Sequence, residues 1–198
     1  LKIHYIIMFF KKQITYKQYR LIIKRCFSIL KTFRNNKYYK INKRIKIDRL
    51  VPAYGTSAFI DYFDKYVEIN NKKLCSKVLL SITNECSFTC KHCYQRDDKG
   101  EDLDINLLLE TIPDMKKIGI TTYIIEGGDP FICFDKLYDV CKEIGFNYEI
   151  ILNTTGNGVT LEKLEKLKSV CNISFISFSL NSPNKEDVNF FMGQDYAW

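Results

Sequence analysis

The second half of the sequence predicts an α/β fold of parallel strands, either an open sheet or the first part of a (β/α) barrel. A basic and mainly helical segment precedes it. Three observations carry this prediction. Short β-rich runs alternate with helix-length segments after residue 77. The alternation repeats at roughly 30 residues, the length of a βαβ unit. Charge also changes sign at the same point: residues 1–77 hold 19 Lys/Arg against 4 Asp/Glu, and residues 78–198 hold 11 against 19. A net charge of +7 therefore hides two regions of opposite character, 1–77 and 78–198, with the boundary near Lys77.

In the first region, Ile14, Leu21, Ile22, Cys26, Ile29, Leu30 and Phe33 recur at helical spacing with lysines and arginines between them. Thr15–Phe33 reads as a basic amphipathic helix. A stretch rich in tyrosine and lysine follows, then a loop at Val51–Thr56 carrying Pro52 and Gly55. The plain reading of the positive charge is a solvated helix face. The sharper one is a site for an acidic peptide or for nucleic acid.

In the second region the β-rich runs are Val78–Thr83, Thr121–Glu126, Tyr148–Asn153 and Ile173–Leu180. Helices are predicted at Asp104–Ile118, Cys133–Ile144 and Leu161–Val170. Asp104 stands as an N-cap, with Gly119 and Gly145 at C-terminal caps. Pro113 is expected to kink or split the first of these helices. The region holds about four βα units, where a closed eight-unit barrel needs ~250 residues. The chain starts at Leu1, and a fourth helix is expected to be only beginning at Phe191–Asp195, so a fragment of a longer protein is expected.

Composition excludes several classes. At 46% apolar and 27% charged, the 198 residues are neither disordered throughout nor collagen-like. The longest near-apolar run, Tyr5–Phe10, falls far short of the ~20 residues of a membrane span. No small-residue cleavage site follows it, so the expected location is cytoplasmic, with no membrane partner.

Eight cysteines in such a chain point to metal or redox chemistry ahead of disulfides. Three are grouped as Cys86-Ser-Phe-Thr-Cys90-Lys-His-Cys93, directly after the first predicted strand. Three thiolates suit a [4Fe–4S] cluster that keeps one iron open to a ligand. A structural zinc site is the alternative, with His92 as fourth ligand, although His92 beside Cys93 on one ion would strain the loop. Cys26, Cys75, Cys133, Cys141 and Cys171 sit among apolar neighbours and read as small buried thiols. Of these, Cys133 follows closest on the glycine motif described next.

The cysteine loop resembles that of radical S-adenosylmethionine (SAM) enzymes, with the aromatic His92 before the last cysteine. Gly127-Gly128-Asp129-Pro130 ends the second strand and is similar to that family's Gly-Gly-Glu-Pro motif, with Asp for Glu. Asn153-Thr-Thr-Gly156 resembles its Thr-Asn-Gly strand end, with Thr155 in place of Asn. Ser177-Phe-Ser179-Leu-Asn181 resembles a Ser-hydrophobic-Asp pattern, with Asn181 in place of Asp. All four motifs lie at C-terminal ends of strands, where βα loops assemble barrel active sites.

The resemblance implies a partial (β/α) barrel of the radical SAM type. It implies that Cys86, Cys90 and Cys93 hold a [4Fe–4S] cluster and that SAM, once reduced through it, yields a radical that abstracts a substrate hydrogen. Gly127 and Gly128 would let the backbone approach the methionyl group, and Asp129 would accept from its ammonium. Ser179, Asn153, Thr155 and Asn181 would bond the carboxylate or ribose, and His92 would lie near the adenine. The motif forms are similar to the peptide- and protein-maturing, SPASM-type branch, which implies a peptide or protein substrate. An external electron donor of the flavodoxin or ferredoxin type is implied as well. An RNA-modifying radical SAM protein is the alternative enzyme, and a metal-stabilised α/β binding module the non-enzymatic one. The family core commonly has six units, so this chain alone is expected to lack robust turnover.

Overall fold

The computed structural model describes residues 2–34, 38–41, 43–46, 48–64, 75–95 and 100–197. The chain opens with α1 (Lys2–Phe10) and α2 (Tyr16–Arg34). The start of α2 is a reciprocal cap: Thr15 N–H donates to Gln18 Oε1 at 2.7 Å, and Gln18 N–H returns a bond to Thr15 Oγ1 at 3.3 Å. Tyr5, Ile14, Ile22, Cys26 and Phe59 form the core here. Leu21, expected with them, is half-buried, and the side chains of Ile29, Leu30 and Phe33 lie outside the described residues.

A short antiparallel hairpin follows, β1 (Tyr39–Ile41) on β2 (Arg44–Lys46), and then α3 (Ser57–Asp64). Neither was read from the sequence: three-residue strands show no period, and the stretch 57–64 was not recognised as a helix. The Val51–Thr56 loop is present, and Thr56 caps α3 by accepting from Phe59 N–H at 3.1 Å.

The second region alternates strand and helix: β3 (Lys77–Ser81), α4 (Ile105–Lys117), β4 (Thr122–Glu126), α5 (Phe134–Ile144), β5 (Glu149–Thr154), α6 (Leu161–Lys168), β6 (Ile173–Phe178) and α7 (Lys185–Met192). The sheet order is β3-β4-β5-β6, each strand reached from the last through a helix, which makes the strands parallel. β5 and β6 register Asn153 against Ser177 and Thr154 against Phe178. The central strands β4 and β5 bury Tyr123, Ile125, Ile150, Ile151 and Leu152 almost completely, the four aliphatic side chains contributing roughly 1.5–3 kcal/mol each.

Asp104 caps α4 by accepting from Asn106 N–H at 2.8 Å, and Gly119 and Gly145 follow α4 and α5 at positive φ. α4 is not split at Pro113, and two expectations are corrected. α4 runs through Pro113 as one element, held by Leu108 and Ile112 buried on one face, although Pro113 has no N–H for the Leu109 carbonyl. The fourth helix of this region is not beginning at Phe191–Asp195: α7 is complete by Met192. Asn184 caps its start by accepting from Glu186 N–H, and Gly193 closes its end in the left-handed conformation. Cys75 is also exposed rather than buried, since it precedes β3 and donates to the Lys77 carbonyl at 2.8 Å.

The chain forms two compact units. One comprises Leu1–Val78, Met115–Thr122 and Asn147–Glu149, and the other Leu79–Asp114, Tyr123–Phe146 and Ile150–Trp198. In the first, the buried carboxylate of Glu149 takes the Lys46 ammonium and the Ala53 N–H. No helix among the described residues is long and apolar enough to cross a membrane.

Candidate functional site

Beyond β3 the chain enters the loop that carries Cys86, Cys90 and Cys93. Its base is fastened before the first cysteine. Gly128 N–H donates to the Thr83 carbonyl and Asp129 N–H to the Glu85 carbonyl, both at 2.7 Å. A Cβ at Gly128 would overlap the Glu85 carbonyl, and one at Gly127, at φ +140°, the Thr83 carbonyl. The two glycines are therefore required first for backbone to meet backbone. Asn84 is tied to Asp102 by its N–H at 2.6 Å, and Lys136 bridges Asp102 and the Ile82 carbonyl at 3.1 Å each. The Asn84 N–H, followed by the Lys136 ammonium, holds the Asp102 carboxyl below its usual range.

The three cysteines face one cavity of about 360 Å³, shared with His92, Tyr94, Glu126, Gly127, Gly128, Asn153, Thr155 and Ser179. Cys86 and Cys93 are exposed and Cys90 half-buried. Burial, then the charges of Cys86 and Cys93, pushes the Cys90 thiol above its ordinary value. Among the described residues no three Cys, His, Asp or Glu side chains converge on a single-ion site. A closed tetrahedral zinc site demands such convergence. A [4Fe–4S] cluster does not, because each thiolate binds a different iron, and three thiols lining one cavity with no fourth cysteine fit it. His92 stands with its ring 6.5 Å from Phe191, edge to face.

Two site residues are not where the sequence put them. Asp129 is fully buried, and its carboxylate is consumed by the chain itself. It accepts from Phe131 N–H at 3.0 Å, Thr154 Oγ1 at 2.9 Å, Thr155 N–H at 2.8 Å and the Thr155 hydroxyl. It ties the end of β4 to the end of β5 and is absent from the cavity wall. Asn181 is exposed and outside the wall as well, three residues beyond the end of β6, on the way to α7.

The acidic side chain that does line the cavity is Glu126, which the sequence reading missed. Tyr94 OH donates to its Oε1 at 2.7 Å and Asn153 Nδ2 to its Oε2 at 2.8 Å. The bond to Glu126, then burial, pushes the Tyr94 phenol up to about 12. One signal was available: Glu126 is the last residue of β4, at the strand end where barrel site residues gather. Asn84, Thr89, Gln95 and Thr154 are further polar lining residues that the sequence reading missed.

Residues 80–198 match the family model of the radical SAM superfamily, and the chain belongs to that superfamily, whose members use a [4Fe–4S] cluster and SAM. The chain is similar to three curated relatives. It is 24% identical over 123 residues to a probable GTP 3′,8-cyclase of Archaeoglobus fulgidus, covering 61% of this chain and 40% of that protein. It is 29% identical over 98 residues to pre-heme d1 synthase of Dinoroseobacter shibae, covering 47% and 24%. It is 31% identical over 80 residues to an S-adenosylmethionine-dependent nucleotide dehydratase of Selenomonas ruminantium, covering 39% and 29%. The matched part thus spans less than half the length of each. The crystal structure of BtrN in an open conformation superposes with a TM-score of 0.45 at 20% identity, covering 59% of this chain and 55% of that one.

Proposed function

We propose that residues 78–198 are the cofactor-binding core of an enzyme that cleaves SAM reductively and abstracts a hydrogen from a peptide or protein. The observation that carries the first part is the set of three thiols on one cavity wall, facing the glycine turn of β4 and the polar ends of β5 and β6. When bound, the cluster and SAM supply the electron transfer and the hydrogen-abstracting radical. The chain's own residues bind and orient. Cys86, Cys90 and Cys93 hold the cluster. Glu126, rather than Asp129, accepts from the ammonium of the methionyl group in a charge-assisted bond, beside the Gly127 and Gly128 backbone. Asn153, Thr155 and Ser179 bond the carboxylate or ribose, and His92 offers ring surface for the adenine.

The peptide substrate rests on the motif forms and on residues 1–77, whose excess of Lys/Arg suits an acidic leader or protein surface. A second reading, a phosphate-bearing nucleotide, is favoured by the relatives' names, a GTP cyclase and a nucleotide dehydratase. An external flavodoxin- or ferredoxin-type donor would supply the electron. A reducing cytoplasm suits eight cysteines that form no disulfide.

The test is anaerobic cluster reconstitution of the wild-type chain and of a C86A/C90A/C93A variant, read by electron paramagnetic resonance with and without SAM. A reduced [4Fe–4S] signal that SAM perturbs, absent from the variant, is the expected result. Iron binding that survives the triple substitution would overturn the assignment. Acidic peptides and nucleoside triphosphates, offered in turn, separate the two substrate readings by which one alters the SAM-bound signal.

A further inference from the structure

The C-terminal end of α7 lies directly on the cysteine loop. A helix leaves its last four carbonyls without intrahelical donors. Here two of them are used on either side of the central cysteine: Met192 C=O accepts from Thr89 N–H at 3.1 Å, and Phe191 C=O from Lys91 N–H at 2.9 Å. Side chains beyond the helix extend the contact. Gln194 Nε2 and Tyr196 OH donate to the Ser87 carbonyl at 3.1 and 3.4 Å. Phe88 is buried against Val188 and Met192. The turn that makes this approach fit is Gly193, at φ +70°, where a Cβ would collide with the Thr89 hydroxyl and carbonyl.

We propose that α7 is a positioning element for the cluster, with Gly193 as its critical residue, setting both the placement of Cys90 and the reduction potential of whatever the loop binds. This rests on the cluster reading above. The physical reason is the fate of two N–H groups. Donors beside a cluster ligand bond its sulfurs and favour the more negative, reduced form. The Thr89 and Lys91 N–H groups are instead spent on α7 carbonyls, and the partial negative charge of a helix C-terminus faces the loop. Both effects lower the potential, the direction needed to reduce a sulfonium.

The experiment compares reconstituted wild-type chain with G193A, with N184A and with Q194A/Y196F. It measures iron per chain, the midpoint potential by redox-poised paramagnetic resonance, and the melting temperature before reconstitution. N184A removes the cap at the far end of α7 and leaves the contacts to the loop in place, so it reports helix stability alone. The expected result is that G193A loses at least half its iron and that the remaining cluster shows a raised potential. N184A should load fully at wild-type potential despite a lower melting temperature. If G193A does not fold, Q194A/Y196F carries the test, with a smaller loss of iron and a potential shifted the same way. Iron loss that simply follows melting temperature across all variants, or wild-type loading and potential in G193A, would overturn the proposal. A wild-type chain that binds no iron would instead overturn the cluster reading beneath it.

Discussion

Glu149 and Asp129 are buried to the same degree, at 1% and 0% exposure, yet their two regions neutralise them by different means. Glu149, in the unit built around the N-terminal helices, takes an equally buried ammonium from Lys46, with the Ala53 N–H at 2.5 Å. Asp129, beside the cavity, takes hydroxyl and backbone donors from Thr154, Thr155 and Phe131. No Lys or Arg pairs with it among the described residues. The ion pair couples two side chains 103 positions apart. Oriented dipoles instead lock strand ends together without setting a fixed positive charge beside three thiols. A charge pair holds one buried carboxylate and hydroxyl and backbone donors the other, so burial of a carboxylate does not by itself demand a counterion.

The largest expected effect comes from breaking the ion pair. K46M leaves the Glu149 charge buried without its counterion and should destabilise the chain by about 3–5 kcal/mol in urea unfolding. K46M/E149L removes both charges and should recover most of that loss. A K46M variant within about 0.5 kcal/mol of wild type would show that the pair is not a buried anchor. D129N should act less strongly. It keeps the shape but offers one acceptor oxygen to donors that now share two, a loss of about 1–3 kcal/mol read from the same unfolding curve.

The contrast also separates what the sequence discloses from what it hides. The strands and helices of 78–198 were legible because each buries one face with its own period, and α5 and β5 match their expected bounds within a residue or two. The cysteine loop was legible because three thiols at close spacing have few other uses. Partnership was not. Asp129 and Glu126 stand three residues apart, both acidic, and nothing local says which turns toward the end of β5 and which toward the cavity. That choice is made by Thr154 and Thr155, a helix and a strand away. The Lys46–Glu149 pair and the α7 contact to Thr89 were hidden for the same reason, since long-range pairing leaves no periodic trace.

Glu126 offers a sharper test, because its partners are also neutral and yet it lines the cavity. E126Q keeps an acceptor for one of Tyr94 and Asn153, so unfolding should change by no more than about 0.5 kcal/mol. Retention of SAM by the reconstituted chain in equilibrium dialysis should weaken about tenfold, the equivalent of 1.4 kcal/mol. Undiminished retention in E126Q would return the ammonium to backbone carbonyls alone.

The smallest effect concerns a third way to bury polar groups, which is to keep them uncharged. Cys141 and Cys171 are both buried, and the Cys141 thiol is pushed well above 9.0, first by its hydrogen bond with Cys171 and then by burial. A raised value means that the folded chain keeps a proton which the unfolded chain gives up. Its contribution to stability is therefore full below about pH 9 and is lost as the pH climbs from there toward the folded value. The melting temperature of the chain before reconstitution should fall with pH above that point, and less steeply in C141A. Other raised groups, Tyr39, Tyr94 and Tyr148 among them, persist in both chains and cancel in the difference. Identical slopes in the two chains would mean that this thiol carries no pH-linked stability.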